Sequence, residues 1–137
     1  MTPKVVVLAD DLIWSTRLVA QLGAIGADPV AVRSAVAFAE ALPVADRAIV
    51  DLTARAYDGI AQVAVAVAEG RPVIAVGQHD DLDLRRRALA AGAQGVHPYR
   101  RLFENGPRVL ERWLGLEPGS TTEPGSTTEP DSAEVPA

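Results

Sequence analysis

Hydrophobic positions along this chain follow two periods in turn. Val5-Val6-Val7-Leu8-Ala9 is a continuous apolar run that ends at the acid pair Asp10-Asp11, the pattern of a parallel strand covered on both faces. Leu12, Ile13, Leu18, Val19 and Leu22 then recur at helical spacing, with Trp14 and Arg17 on the outer edge and Gly23 and Gly26 as stop signals. Asp28-Pro29 restarts extended backbone, which predicts a short strand at Val30-Ala31-Val32. Ser34 is placed to cap a helix running to about Leu42, and Pro43 ends it.

The second half repeats the scheme. Ala48-Ile49-Val50 reads as a buried strand whose next residue is Asp51, a carboxylate that a sheet interior would not tolerate unpaired, so Asp51 belongs at the strand's carboxyl end facing a crevice. Asp58 caps the following helix, and Gly59 offers a backbone free to take positive φ. Ile60 to Ala68 alternates strictly between Val or Ile and smaller residues, which fits a strand as well as a helix. Its alanine content and its place between two strands favour the helix. Gly70 closes it, Pro72-Val73-Ile74-Ala75-Val76 is the fourth strand, and Asp81 caps a helix from Leu82 to Ala91. Gly95-Val96-His97-Pro98 is a weak fifth strand. Leu102 to Leu114 is a final helix that Asn105-Gly106-Pro107 splits or delays.

Five strand-helix units in about 115 residues imply an α/β fold: a doubly wound five-stranded parallel sheet with helices on both faces, in the flavodoxin-like strand order 2-1-3-4-5. In that order strands one and three are neighbours, so Asp10, Asp11 and Asp51 converge on one crevice. Three close carboxylates repel one another. A bound divalent cation is the simplest compensation, and all-oxygen ligation in an open site favours Mg²⁺.

Charge and composition narrow the function. The net charge of −5 comes from the end of the chain: five of the eighteen acids and none of the thirteen bases lie from Glu117 onward, so the first 116 residues balance. A neutral body argues against nucleic-acid binding, and Arg85-Arg86-Arg87 reads as a solvated helix face. Residues 117–137 repeat Glu-Pro-Gly-Ser-Thr-Thr and hold nothing apolar to bury, which predicts a disordered acidic tail after a domain over 1–116. There is no cysteine, and His79 and His97 make no metal set and read as turn residues. No apolar run approaches the roughly 20 residues of a membrane span, so a cytoplasmic chain without membrane contacts is expected. Val109, Trp113 and Leu116 mark a possible partner or homodimer surface, although a buried helix face explains them too.

The Asp10-Asp11 pair after the first strand, Asp51 after the third, the Asp51-Leu52 to Asp58-Gly59 spacing and the Gly92-Ala93-Gln94-Gly95 turn together resemble the receiver domain of two-component response regulators, over residues 3 to 115. The resemblance implies a signalling module and not an enzyme. Asp51 would be the phosphoacceptor, taking its phosphoryl group from the phosphohistidine of a histidine kinase or phosphotransfer protein. Asp10 and Asp11 would place Mg²⁺, with Asp51 and the backbone carbonyl of Thr53 completing the protein ligands. With no output domain after the receiver, the module would act by contact with a downstream protein target.

The departures are as informative. Gly77 stands where receivers carry a Ser or Thr, and Val96 where they carry an aromatic residue. The Lys-Pro pair after strand five is replaced either by His97-Pro98, with a two-residue deletion, or by Tyr99 in a gapless alignment. Lys4, the only lysine, lies at the far end of strand one, and Ala54-Arg55 replaces the usual Met-Pro. Arg55 or Arg100 is a possible stand-in for the missing lysine. Two readings follow: a phosphoaccepting receiver, and a pseudo-receiver scaffold that binds partners constitutively. A flavin site would meet Asp10-Asp11 where it wants a phosphate loop, and an aspartyl phosphohydrolase would find Thr53 where it wants a second acid.

Overall fold

The computed structural model describes residues 2–78 and 80–116; His79 and the acidic tail predicted for 117–137 lie outside the described residues. Five strands, β1 (Lys4–Leu8), β2 (Asp28–Val32), β3 (Arg47–Asp51), β4 (Val73–Gly77) and β5 (Val96–Pro98), form one parallel sheet in the order β2-β1-β3-β4-β5. The helices between and after them are α1 (Leu12–Ala24), α2 (Ala35–Ala41), α3 (Gly59–Ala68), α4 (Leu82–Ala90) and α5 (Tyr99–Leu114), with a 3-10 turn at Leu42–Val44. This is the doubly wound, flavodoxin-like arrangement expected from the pattern.

Period-two alternation along the strands sorts the core into two layers. Val6, Leu8, Ala48, Val50, Val73 and Ala75 face α2, α3 and α4, where Phe38, Val63, Ala66 and Ala88 meet them. Val5, Val7, Ile49, Ile74 and Val76 face α1 and α5, against Leu18, Leu22, Leu102, Leu110 and Leu114. Each fully buried Val or Leu contributes about 1.5–3 kcal/mol, so the continuous apolar runs are what both covered faces require. Asp51 continues the Ile49 side, which directs its carboxylate toward α1 and α5.

Local chemistry sets the helix starts. Asp11, Ser34, Asp58 and Asp81 each accept a hydrogen bond from a backbone N–H of the first turn, so every helix from α1 to α4 begins on a side-chain cap. The Val/Ala alternation after Asp58 folds as helix. Its first residue, Gly59, serves a different purpose from the one expected: a Cβ there would lie 2.9 Å from the Leu52 Cα, so closeness of backbones, not positive φ, requires glycine. The last helix starts earlier than expected, directly from Pro98, and absorbs the Asn105-Gly106-Pro107 break as a kink at Asn105 (φ −132°, ψ 22°). Among the described residues no helix is long and apolar enough to cross a membrane.

Candidate functional site

The carboxyl ends of β1, β3, β4 and β5 open onto a cleft of about 720 Å³, whose walls include Asp11, Trp14, Thr53, Gly77, Tyr99 and Phe103. Its floor is Asp51. This side chain is 3% exposed, and Oδ1 accepts hydrogen bonds of 2.8 Å from both the backbone N–H and the hydroxyl of Thr53. The other oxygen, Oδ2, is buried without a hydrogen-bond partner. A buried carboxylate oxygen left unpaired is a costly arrangement and marks a place for a ligand.

The two acids after β1 are used differently from each other. Asp11 Oδ1 caps α1, accepting from the N–H of Ile13 at 2.9 Å and of Trp14 at 3.2 Å. Asp10 Oδ2 crosses to the loop after β3 and accepts from the N–H of Arg55 and Ala56 at 3.0 and 3.2 Å. Asp10 thus holds the loop that carries Thr53. Among the described residues no three His, Cys, Asp or Glu side chains are grouped as a metal cage. Asp11 and Thr53 line the cleft while Asp10 is engaged with the loop, so the crevice is shared but the carboxylates are not clustered.

Two phenols lie near Asp51: Tyr57, which no local pattern marked, and Tyr99, the gapless candidate. The Tyr57 hydroxyl lies 3.0 Å from the Leu8 carbonyl and 2.9 Å from that of Asp51, bracing the ends of β1 and β3. Burial, then the negative charges of Asp51 and Asp10, hold its pKa above the ordinary phenol value. The Tyr99 hydroxyl is buried with no partner of good geometry. Burial raises its pKa first, then the hydrogen-bonding capacity and charge of Asp51, with the Thr53 hydroxyl opposing.

Tyr99, the gapless candidate, lines the cleft. His97 does not: it pairs across the sheet with Val76, its ring lies against Gly95, and the charges that bear on it are Arg101 and Arg85. Its pKa is lowered, by burial first and then by those two guanidiniums. Gly77 ends β4 and lines the cleft, and a Cβ there would meet only Leu52 side-chain atoms at 3.7 Å. The hydroxyl expected at this position is absent although space for it exists.

Aromatic rings form one wall. Trp14 stacks on Tyr99 with centroids 4.2 Å apart and on Phe103 at 4.3 Å, and the Arg17 guanidinium lies over Phe103 at 5.2 Å. Arg100 also lines the cleft, but its Nε is 3.0 Å from Glu104 Oε2 in an exposed pair. Lys4 is remote, 3.9 Å from Asp28 at the other end of the sheet.

The fold and the burial of an aspartate at the end of β3 define a receiver-type α/β domain, and the solved structures it matches are of that kind. The BeF3-activated receiver domain of RstA from Klebsiella pneumoniae has a TM-score of 0.70 and 22% identity over 82% of this chain and 96% of that one. The receiver domain of a sensor histidine kinase from Pseudomonas aeruginosa PAO1, with a magnesium ion coordinated in its active site cleft, has a TM-score of 0.68 and 20% identity over 84% and 99%. That of a DNA-binding response regulator from Colwellia psychrerythraea 34H has a TM-score of 0.72 and 17% identity over 82% and 98%. No family model and no curated protein matches the chain. The chain therefore has the response-regulator receiver fold.

Proposed function

We propose that this chain is a signalling receiver module in which Asp51 accepts a phosphoryl group with Mg²⁺ as cofactor, its donor a histidine kinase or phosphotransfer protein and its output a protein contact. The observation that carries this reading is the Asp51 carboxylate itself: nearly fully buried at the end of β3, it keeps one oxygen unpaired. Asp51, Asp11 and the Thr53 carbonyl are the groups that would hold the ion. Bound there, Mg²⁺ neutralises the charge on transferring phosphoryl oxygens.

The chain's own residues do the rest. Thr53 fixes the rotamer of Asp51 through two bonds to Oδ1, leaving Oδ2 to attack phosphorus. A P–O bond forms as the donor's P–N bond breaks, and its electron pair stays with the leaving imidazole. Asp10 holds the Thr53 loop, and Tyr57 holds the strand ends, so the nucleophile is positioned before the donor arrives.

Phosphorylation with acetyl phosphate and Mg²⁺ tests this as a mass gain of about 80 Da, present in the wild type and lost in Asp51→Asn. The pseudo-receiver scaffold is the second reading. It is favoured by the engagement of Asp10 with backbone amides and by a lysine that is missing from the site. No mass gain in the wild type selects it.

A further inference from the structure

The two unpartnered polar atoms of the cleft, Asp51 Oδ2 and Tyr99 Oη, come from elements 48 positions apart in sequence and are both buried. A phenol enclosed without a partner is unfavourable unless it serves an occupant. Phenylalanine would fill the same space and make the same stacking contact with Trp14. The hydroxyl therefore adds nothing to packing, and Tyr99 shares the cleft wall with Thr53, whose hydroxyl holds Asp51.

The geometry points to Tyr99 as the specificity-determining residue of this site: its hydroxyl donates to an oxygen of the group carried on Asp51, in place of a cation, and its ring passes that contact to Trp14. The inference rests on the phosphoacceptor reading and names what replaces the lysine in it. Competing stand-ins are placed less well. Arg100 is exposed and paired with Glu104, Arg55 is exposed, and His97 lies among Arg85 and Arg101 on the far strand. Gly77 has no hydroxyl to offer. Tyr99 alone combines a buried, unpartnered donor with a place on the cleft wall that carries Thr53.

A neutral donor has a defined consequence. Lysine attracts an anion from several ångströms away, whereas a phenol acts only on contact, so binding should depend sharply on one hydrogen bond. The ring of Tyr99 lies 4.2 Å from that of Trp14, and Phe103 continues the stack. A shift of Tyr99 toward an occupant thus reaches the seam between α1 and α5.

Beryllofluoride with Mg²⁺ is the probe, in a Trp113→Phe background that leaves Trp14 as the only tryptophan. Fluorine-19 NMR reads occupancy of Asp51, and Trp14 emission reads the stack. The wild type should bind and change its emission. Tyr99→Phe should keep its melting temperature, bind roughly tenfold or more weakly, the loss of one hydrogen bond to a charged group, and lose the emission change at saturation. Arg100→Ala should behave as wild type. Bound fluoride that is equally tight in Tyr99→Phe overturns the Tyr99 role alone, as does a loss seen in Arg100→Ala instead. No bound fluoride in the wild type overturns the phosphoacceptor reading and this inference with it.

Discussion

The Tyr57 hydroxyl sits 2.9 Å from the carbonyl oxygen of Asp51 and 3.0 Å from that of Leu8, so a single phenol ties together the carboxyl ends of two paired strands. Tyr99 makes no such bond. The two phenols are therefore expected to answer the same substitution differently. Tyr57→Phe removes the one donor that two carbonyls share and should destabilise the fold by about 1–2 kcal/mol, read as a lower urea midpoint at constant slope. Tyr99→Phe should be neutral or slightly stabilising, and a loss as large as that of Tyr57→Phe would contradict the unpartnered state of its hydroxyl.

Asp11 has two separable duties, the α1 cap and the cleft. Asp11→Ala should cost about 1 kcal/mol through the cap alone and also abolish stabilisation by Mg²⁺. Asp11→Ser restores the cap, so it should recover the melting temperature measured in chelator while remaining indifferent to millimolar Mg²⁺. A wild type whose melting curve is flat in Mg²⁺ would count against Asp11, Asp51 and Thr53 as ligands.

Gly59 and Gly77 should separate clearly. An alanine Cβ at Gly59 would press on the Leu52 backbone at 2.9 Å, and backbone gives way poorly, so Gly59→Ala should destabilise by about 1–3 kcal/mol. At Gly77 the nearest atoms are at an ordinary 3.7 Å and φ is not positive. Gly77→Ala should be stabilising by about 0.5 kcal/mol through reduced freedom of the unfolded chain. Chemical denaturation of the two variants in parallel makes the comparison.

His97 gives the fold a sensitivity to mild acid. Its folded pKa lies below the ordinary 6.5, so as pH falls the unfolded chain takes up the proton first. Its contribution is then complete above pH 6.5 and declines as pH falls through the lowered value. Burial and the facing Arg85 and Arg101 are the cause. Replacing His97 with Gln should flatten the stability profile between pH 7 and 5 relative to wild type, and an unchanged slope would show that other groups set it.

Much of the architecture was readable from short-range pattern. Val5 to Leu8 and Ala48 to Val50 are apolar without interruption because both faces of a central strand are covered. Asp11, Ser34, Asp58 and Asp81 stand one residue before their helices because only such side chains satisfy first-turn N–H groups. Ambiguity persisted where the local code is degenerate. The Val/Ala alternation of α3 fits two periods, and α5 begins at Tyr99, directly after Pro98, instead of at Leu102.

The amino-acid order alone determined the sheet, its strand order and the location of Asp51 at a carboxyl edge, since each follows from periodicity and from the intolerance of a sheet interior for charge. Packing decided the rest. Asp10 bonds amides 45 and 46 residues away, Tyr57 reaches a carbonyl 49 residues back, and Tyr99 instead of His97 lines the cleft. Those meetings depend on register and on how α5 leaves β5, and no local pattern records them: a side chain's neighbours across the fold are set by the summed geometry of all the elements between.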